Sequence, residues 1–322
     1  MQKETSHIKL KTVFMGTSHF AEGTLKALIE NEYNIVAIFT KPDAKIGRKQ
    51  EVAESPIKKL ALEKNIPVFQ PQKFDNEIIN KLKSLKPDLI IVTAYGKILP
   101  KEVLDIPGFG CVNVHPSLLP KFRGPSPIQN TLLTGEKETG TTIMLMDEKM
   151  DTGDILAQEK ILIEDSDNAQ ILSEKLLILS CDLLVKTLPL WIGRKIEPIK
   201  QDDSQATLCQ LIEREDGRII WEQDAQEIYN KFRALFPWPG IFTFWKNDAM
   251  LTRIKLLKIK LQKINPEIHH KVGEVFEIGD SIGIQALNGV IIIEELQMEG
   301  KNPASAKEFI NGYRNFVGSI LI

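Results

Sequence analysis

Three polar side chains between residues 113 and 151 could together carry out acyl transfer. Asn113 and His115 lie two apart in a short apolar segment that stops at Pro116. On a strand, this spacing places both side chains on one face. An amide N–H and an imidazole N–H that point at the same place can stabilise the negative charge on a formyl oxygen under attack by an amine.

A carboxylate beside the imidazole would orient the ring and help to accept the proton that the amine loses. Asp151 is the candidate, because residues 150–154 have the composition of a loop that could face the same crevice. Each signal also has an ordinary structural explanation. An Asn-x-His pair can be purely structural, and an aspartate in such a turn often caps its own backbone. The residue types alone leave both explanations open.

Alternating apolar runs and helical patterns in the first half predict the elements that position these side chains. Strands are expected at 13–15, 35–39, 89–92 and 111–114, and helices at 20–30, from 56 onward and at 75–85. Such alternation predicts an α/β fold with a Rossmann-like parallel sheet. Ligands of such sheets bind beyond the carboxyl ends of the strands, where Asn113 and His115 would lie.

The second half has a different pattern. A short helix is expected at 224–235, followed by β-branched and aromatic runs between turn signals at 241–245, 254–261, 273–278, 281–286 and 290–296. This spacing predicts a small antiparallel, OB-like β-barrel. We therefore expect a catalytic domain over 1–196, a linker over 197–213 and a barrel domain over 214–322.

Composition excludes several classes of protein. The 322 residues carry a net charge of −2, and three widely spaced cysteines favour neither a disulfide framework nor a zinc site. No apolar run has the length of a membrane span. No His-Glu-x-x-His or Gly-x-Gly-x-x-Gly motif indicates a metal or a nicotinamide cofactor. We expect a cytoplasmic protein with no metal and no membrane contact.

The segment 113–128 resembles the folate-binding signature of the 10-formyltetrahydrofolate-dependent formyltransferases. Residues 94–100 and 150–155 also match this group, and the similarity covers nearly the whole chain. It is greatest to the members that formylate methionine esterified to initiator tRNA. The resemblance implies a formyl transfer from 10-formyltetrahydrofolate, as cosubstrate, to the α-amine of initiator methionyl-tRNA, by a protein that we expect to be a monomer.

The resemblance also assigns residues to roles. It makes Asn113, His115 and Asp151 the catalytic residues. The residues expected to hold the folate are Ser117, Leu118, Leu119, Pro120, Ile98 and Leu99.

Basic residues in the second half suggest an RNA partner. Residues 246–271 carry a local net charge of +5, and Arg253, Lys255, Lys258 and Lys260 alternate with apolar residues. A strand with one basic face would suit phosphate contacts. The pair at 256–257 either breaks the strict alternation or marks a bulge. A solvated strand face is the other explanation.

A second basic segment lies at 41–49. In the tRNA formyltransferases the matching insertion contacts the acceptor stem, so Lys45, Arg48 and Lys49 are expected to bind tRNA. The family pattern Asp-Arg-Pro-Ala-Gly-Arg has Ala44 in place of its first arginine here. Lys45 beside it lacks the planar donor fork of arginine.

Two other functions remain open from the sequence. A formyltransferase acting on a sugar-nucleotide amine could use the same three residues, and a non-catalytic folate- or RNA-binding module could keep the same fold. The basic segments favour tRNA over an amino sugar. The intact set of three residues favours catalysis. The aromatic run 236–240 is expected to pack in an interior.

Overall fold

The computed structural model describes residues 10–46, 51–247, 250–263 and 270–322. The chain divides into two compact units. The first comprises Met1–Pro127, Glu138–Ile163 and Ser173–Gln210, and the second comprises Ile128–Lys137, Glu164–Leu172 and Leu211–Ile322. The domain bounds expected from the sequence stay predictions.

The first unit contains a seven-stranded sheet and a small hairpin. Its strands, in chain order, are β1 (Thr12–Gly16), β2 (Ile35–Phe39), β3 (Ala44–Ile46), β4 (Glu51–Ala53), β5 (Val68–Phe69), β6 (Leu89–Thr93), β7 (Cys111–His115), β8 (Glu138–Leu145) and β9 (Ile155–Leu162). The sheet order is β5-β2-β1-β6-β7-β8-β9, and β3 pairs with β4. The first five strands of that order are parallel, and β8 and β9 are antiparallel.

Helices connect and follow these strands. They are α1 (His19–Glu30), α2 (Pro56–Glu63), α3 (Asn76–Leu85), α4 (Lys101–Leu104), α5 (Pro127–Leu133) and α6 (Ala169–Ile192). Side-chain oxygens of Ser18, Ser55 and Asp75 accept a hydrogen bond from the first turn of α1, α2 and α3. These caps satisfy backbone donors that a helix leaves unpaired at its start.

Buried side chains cover both faces of the sheet. Leu89 and Ile91 pack in one core cluster, while Ile90 and Val92 pack in the other. Because successive side chains of a strand point to opposite faces, a strand covered on both sides is apolar at every position. The α/β prediction with a Rossmann-like sheet is confirmed.

The second unit is built on an antiparallel sheet. Its elements are α7 (Ala225–Ala234), β10 (Ile241–Asn247), β11 (Met250–Lys263), β12 (Val275–Ile278), β13 (Ser281–Ala286), β14 (Gly289–Met298), β15 (Ala304–Ser305) and α8 (Ala306–Gly312). The strand order is β10-β11-β14-β13-β12, with β15 beside β14. Every pairing is antiparallel, as the sequence predicts.

The last residues of the chain connect the two edges of this sheet. Phe244 in β10 exchanges backbone hydrogen bonds with Ile322, at 2.8 and 3.0 Å. Val275 in β12 donates to the carbonyl of Ser319 at 2.9 Å, and Leu321 donates to Gly273. Residues 318–322 thus satisfy edge groups that would otherwise stay open, and the sheet becomes barrel-like.

A bulge explains the broken alternation in β11. Leu256 pairs with Leu296 and Lys258 pairs with Glu295, so Leu257 is an extra residue. Ile254 and Leu256 are buried before the bulge, and Ile259 is buried after it. The basic residues Arg253, Lys255, Lys258 and Lys260 therefore share the opposite face.

Because residues 318–322 close the sheet, we expect substitutions of Leu321 and Ile322 to lower the free energy of unfolding by very different amounts. Leu321 is 3% exposed and Ile322 is 50% exposed. We expect Leu321→Ala to lower the free energy of unfolding by about 2–5 kcal/mol, because it leaves a cavity. Ile322→Ala keeps the same backbone bonds and should cost less than about 1 kcal/mol. Urea unfolding curves of both variants would measure this, and equal losses would contradict it.

Candidate active site

The site lies at the carboxyl end of β7, which pairs with β6 on one side and β8 on the other. Asn113 and His115 are the third and fifth residues of this strand and are both buried. The side chains of Val112 and Val114, on the other face, pack into the core. The strand thus delivers both polar groups to one face, as the two-residue spacing predicts.

The loop after β8 brings Asp151 to these two residues. Its Oδ1 lies 3.5 Å from Asn113 Nδ2, and its Oδ2 lies 3.7 Å from His115 Nδ1. The shortest contact is with the backbone, because the Gly124 N–H donates to Oδ2 at 2.8 Å. The three residues singled out in the sequence therefore converge. The separation between Oδ2 and Nδ1 is longer than a hydrogen bond.

A different aspartate caps the loop. Asp147 accepts hydrogen bonds from the Thr152 hydroxyl at 2.7 Å and from the Lys149 N–H at 3.1 Å. Asp151 itself has a left-handed backbone, with φ of 54°. A Cβ on Gly153 would lie 1.9 Å from the carbonyl oxygen of Leu145, so only glycine fits there. Asp147, and not Asp151, therefore caps this loop. The carboxylate of Asp151 points towards Asn113 and His115.

The tautomer of His115 follows from its second ring nitrogen. Nε2 lies 3.0 Å from the carbonyl oxygen of Phe122. A carbonyl can only accept, so Nε2 carries the hydrogen and donates it. Nδ1, which faces Asp151, then carries a hydrogen only in the imidazolium form. It is the nitrogen that can gain and lose a proton at the site.

The tripeptide 122–124 supplies both backbone contacts. Phe122 and Gly124 have positive φ angles of 60° and 126°. A Cβ on Gly124 would lie 2.2 Å from the carbonyl oxygen of Cys209, so glycine is required. Arg123 between them pairs with the segment 207–209 through its N–H and C=O. Sequence patterns predict neither backbone contact, although the glycine at 124 is a visible signal of a close backbone approach.

Cys209 packs against the same tripeptide. Burial raises the pKa of its thiol, so it stays protonated at neutral pH. The thiol donates to the carbonyl oxygen of Phe122, with Sγ at 3.5 Å. This carbonyl thus has two donors, Cys209 and His115, and its direction is fixed by both.

In the segment 117–120, which is expected to hold the folate, the polar groups of Ser117 and Leu119 form hydrogen bonds with other protein groups. Ser117 Oγ donates to the carbonyl of Lys121 at 2.8 Å. The Leu119 N–H donates to Thr142 Oγ1 at 3.1 Å, and Gln158 Nε2 donates to the Leu119 carbonyl at 2.8 Å. No sequence pattern points to Thr142 and Gln158, on β8 and β9, as supports. The segment is fixed in shape before any ligand arrives.

The remaining folate candidates differ in exposure. Leu118 and Pro120 are half-buried. Ile98 is 80% exposed, whereas Leu99 lies in the core with Tyr95. A ligand could therefore touch Ile98 directly, while Leu99 acts as support for the backbone beside it.

The basic residues of β11 are not equivalent. Lys258 and Lys260 both pair with Glu294, at 2.9 Å for Lys258. The Arg253 guanidinium lies 3.4 Å from the centre of the Phe242 ring. Burial, and then the charge of Arg253, lower the pKa of Lys255. The carboxylate of Glu294 thus partly balances the positive charge of Lys258 and Lys260. Among the described residues, no carboxylate forms an ion pair with Arg253 or Lys255.

Asp43, just before β3, is held by two side chains from outside the segment 41–49. Lys58 Nζ lies 2.6 Å from Asp43 Oδ2, and Gln70 donates to Oδ1 at 2.7 Å. The hydrogen bond from Lys58 is the main cause that lowers the pKa of Asp43. The backbone of Lys45 lies in β3. The other two residues expected to bind tRNA in this segment, Arg48 and Lys49, lie outside the described residues.

One expectation about the second unit is wrong. The sequence predicts that Trp238 packs in an interior with its neighbours, but it is 58% exposed. Pro239 and Gly240 beside it are buried. Pro237 before it is exposed too, so Pro237 and Trp238 project from the turn.

Within the described ranges, no cluster of three or more His, Cys, Asp or Glu side chains could hold a metal ion. The same ranges contain no helix that combines the length and apolar character needed to cross a bilayer.

Comparisons with known proteins show the family of the chain. The profile of the family described as formyl transferase matches residues 10–188. The profile of the formyl transferase C-terminal domain matches residues 211–314. The chain belongs to the formyl transferase family.

Relatives within this family match over almost their whole length. A methionyl-tRNA formyltransferase from Caldicellulosiruptor saccharolyticus is 44% identical over 313 residues, which cover 96% of this chain and 99% of the relative. A methionyl-tRNA formyltransferase from Clostridium novyi is 41% identical over 97% of this chain and 100% of its own.

Solved structures with lower identity share the formyl transferase fold. An N-formyltransferase from Helicobacter canadensis, solved with folinic acid and dTDP-3-aminofucose, has a TM-score of 0.66 at 20% identity, over 88% of this chain and 98% of its own. HypX from Aquifex aeolicus, in a variant form, has a TM-score of 0.62 at 18% identity, over 96% of this chain and 50% of its own.

The convergence on Asp151 predicts a large effect of removing its charge. We expect Asp151→Asn to lower kcat for formyl transfer at least tenfold, or about 1.4 kcal/mol of activation free energy. The amide cannot accept a proton or balance an imidazolium. Glu148→Gln is the matched control, because Glu148 is an exposed carboxylate of the same loop and should keep near-normal activity. A loss below about tenfold would remove Asp151 from the mechanism.

Proposed function

We propose that this chain is a methionyl-tRNA formyltransferase. It transfers the formyl group of 10-formyltetrahydrofolate to the α-amine of methionine esterified to initiator tRNA. One observation carries the proposal: Asn113, His115 and Asp151 meet at the end of β7 in a chain whose near-full-length relatives bear that name. In this proposal the protein is a cytoplasmic monomer that needs no metal.

The reaction requires a neutral amine and an acceptor for its proton. The amine nitrogen attacks the formyl carbon and forms a new C–N bond, while the carbonyl electrons move to oxygen. The tetrahedral intermediate then collapses, the bond to the folate N10 breaks, and N10 gains the proton that the amine loses. Negative charge on the formyl oxygen is the feature that the protein must stabilise.

Asn113 and His115 are placed to supply that stabilisation. Asn113 Nδ2 has two hydrogens, and its contact with Asp151 at 3.5 Å is weak enough to leave it available. His115 Nε2 is held by the Phe122 carbonyl, so the hydrogen that reaches the substrate must sit on Nδ1 of the imidazolium. Loss of one such donor typically costs about 2.7–4 kcal/mol in the transition state.

Asp151 supports both tasks. Its Oδ2, fixed by the Gly124 N–H, lies 3.7 Å from His115 Nδ1 and faces that side of the ring. A carboxylate at this position can also pass the amine proton towards N10, directly or through one water. The fixed backbone donor keeps the carboxylate from turning away between these steps.

The folate site in this proposal is a shaped surface with few hydrogen bonds of its own. Half-buried Leu118 and Pro120 form a wall backed by Ser117 and Leu119, which are buried and make their hydrogen bonds inside the protein. Exposed Ile98, backed by Leu99, adds apolar contact. Such a wall selects a planar ring system by shape and leaves the formyl carbon to the polar groups of β7.

In this proposal two basic segments, one in each unit, contact the tRNA. Arg253 and Lys255 contribute more phosphate attraction than Lys258 and Lys260, because Glu294 balances the latter pair. Lys45, Arg48 and Lys49 of the segment 41–49 are assigned to the acceptor stem. Phosphate contacts of this kind provide affinity and orientation without reading bases.

Purified protein mixed with the formyl donor and charged initiator tRNA tests the function directly. We expect N-formylmethionyl-tRNA to form with turnover, because the site holds the groups for one transfer cycle. An amino-sugar nucleotide in place of the tRNA should give no formylated product above the uncatalysed rate. Formylation of the sugar and not of the tRNA would overturn the proposal.

The pairing in β11 predicts different effects for two lysines. Lys255→Gln should raise KM for the tRNA several-fold and reduce the slope of log affinity against log salt by about 1. Lys258→Gln should change both less, since Glu294 already balances that charge. Equal effects, or a larger effect at Lys258, would show that the pairing does not govern RNA binding.

A further inference from the structure

The side chain of Gln201 holds the loop that carries Asp151. Its Nε2 donates to the carbonyl oxygen of Asp151 at 2.9 Å and to that of Gly153 at 2.8 Å. Both hydrogens of the amide are therefore used on this loop, one on each side of Thr152. These bonds hold in place a backbone whose φ at Asp151 is 54°.

The oxygen of the same amide is held by a buried arginine. Gln201 Oε1 accepts from Arg123 Nε at 3.0 Å and from its Nη2 at 2.9 Å. Arg123 is only 6% exposed. Its Nη2 also contacts the carboxylate of Asp203, which is 82% exposed. The Asp203 end of this pair is solvated, which weakens it, whereas Gln201 accepts two hydrogen bonds from the same guanidinium.

Only an amide suits both ends of this connection. The carbonyl oxygens of the loop require a donor, and the guanidinium requires an acceptor. A carboxylate at 201 could accept from Arg123 but could not donate to the loop. An apolar side chain could do neither.

The hydrogen bonds of Gln201, Asp151 and residues 123–124 form a closed ring of contacts. Gln201 holds the backbone of Asp151, the Asp151 carboxylate accepts from the Gly124 N–H, and Gly124 follows Arg123 in the chain. Arg123 returns to Gln201 through its guanidinium. The tripeptide that contacts both His115 and Asp151 is thus tied to the Asp151 loop from two sides.

We infer that Gln201 is a positioning residue for formyl transfer. Its amide holds the loop 151–153 so that the Asp151 carboxylate stays between the Gly124 N–H and His115 Nδ1. The inference rests on the proposed function and adds a residue that never touches the substrate. Without the amide, the loop keeps its charge but loses its fixed placement, and small displacements of catalytic groups are costly.

Two variants and a control test this inference in the full-length protein. Gln201→Met, of similar length, should lower kcat by about tenfold or more, while KM for each substrate changes less than about threefold. Gln201→Glu keeps an acceptor for Arg123 but lacks the donors, so it should lose kcat similarly. The control Asp203→Asn removes the charge of the exposed partner of Arg123, keeps an oxygen that can accept from it, and should stay within about twofold of the parent.

A double-mutant cycle separates positioning from a general structural role. If Gln201 acts through Asp151, adding Gln201→Met to Asp151→Asn should lower kcat further by less than about threefold. Fully additive losses, or a kcat of Gln201→Met within about twofold of the parent, would overturn the inference. If Gln201→Met does not fold, Gln201→Glu takes its place in the same cycle, with the same two outcomes.

The parent protein separates this inference from the proposed function. If the parent does not formylate charged initiator tRNA, the proposed function fails. If the parent is active and the Gln201 variants match it, only the role of Gln201 fails.

Discussion

The hydrogen bond from the Gly124 N–H to Asp151 Oδ2, at 2.8 Å, is the shortest direct contact that the site residues make between the two chain segments that carry the site. One segment follows β7, which holds Asn113 and His115, and the other follows β8. Because Phe122 in the first segment also accepts from His115, the same tripeptide sets the imidazole tautomer and the carboxylate direction. The chemistry proposed for the chain depends on this shared backbone support.

The antiparallel extension of the sheet makes that support possible. Thr142 on β8 accepts a hydrogen bond from the Leu119 N–H, and Gln158 on β9 donates one to the Leu119 carbonyl. The two strands also lead the chain into and out of the loop that holds Asp151. The short return from β8 to β9 keeps the Asp151 loop beside the folate segment and the end of β7, within one hydrogen-bonded network.

Much of the fold could be predicted from the sequence, because local patterns determine it. Continuous apolar runs such as 89–92 mark a strand covered on both faces, and Ser55 followed by proline marks the start of α2. Asn113 and His115 could be placed together by strand periodicity. The contacts of Gly124, Phe122 and Gln201 could not, because they depend on the path of the chain between distant segments. The exposure of Trp238 could not be predicted either, because it depends on the path of the backbone in this turn and not on the aromatic and proline content of residues 236–240.

The most direct test of the account is a structure of the protein bound to a stable N-formyl analogue of the folate donor. The account predicts the formyl carbon within about 4 Å of His115 Nδ1 and the Asp151 carboxylate, with the formyl oxygen within hydrogen-bonding reach of Asn113 Nδ2. The Gly124–Asp151 hydrogen bond should be intact in that complex. A formyl group bound away from all three side chains, or an Asp151 carboxylate turned to solvent in the complex, would contradict it.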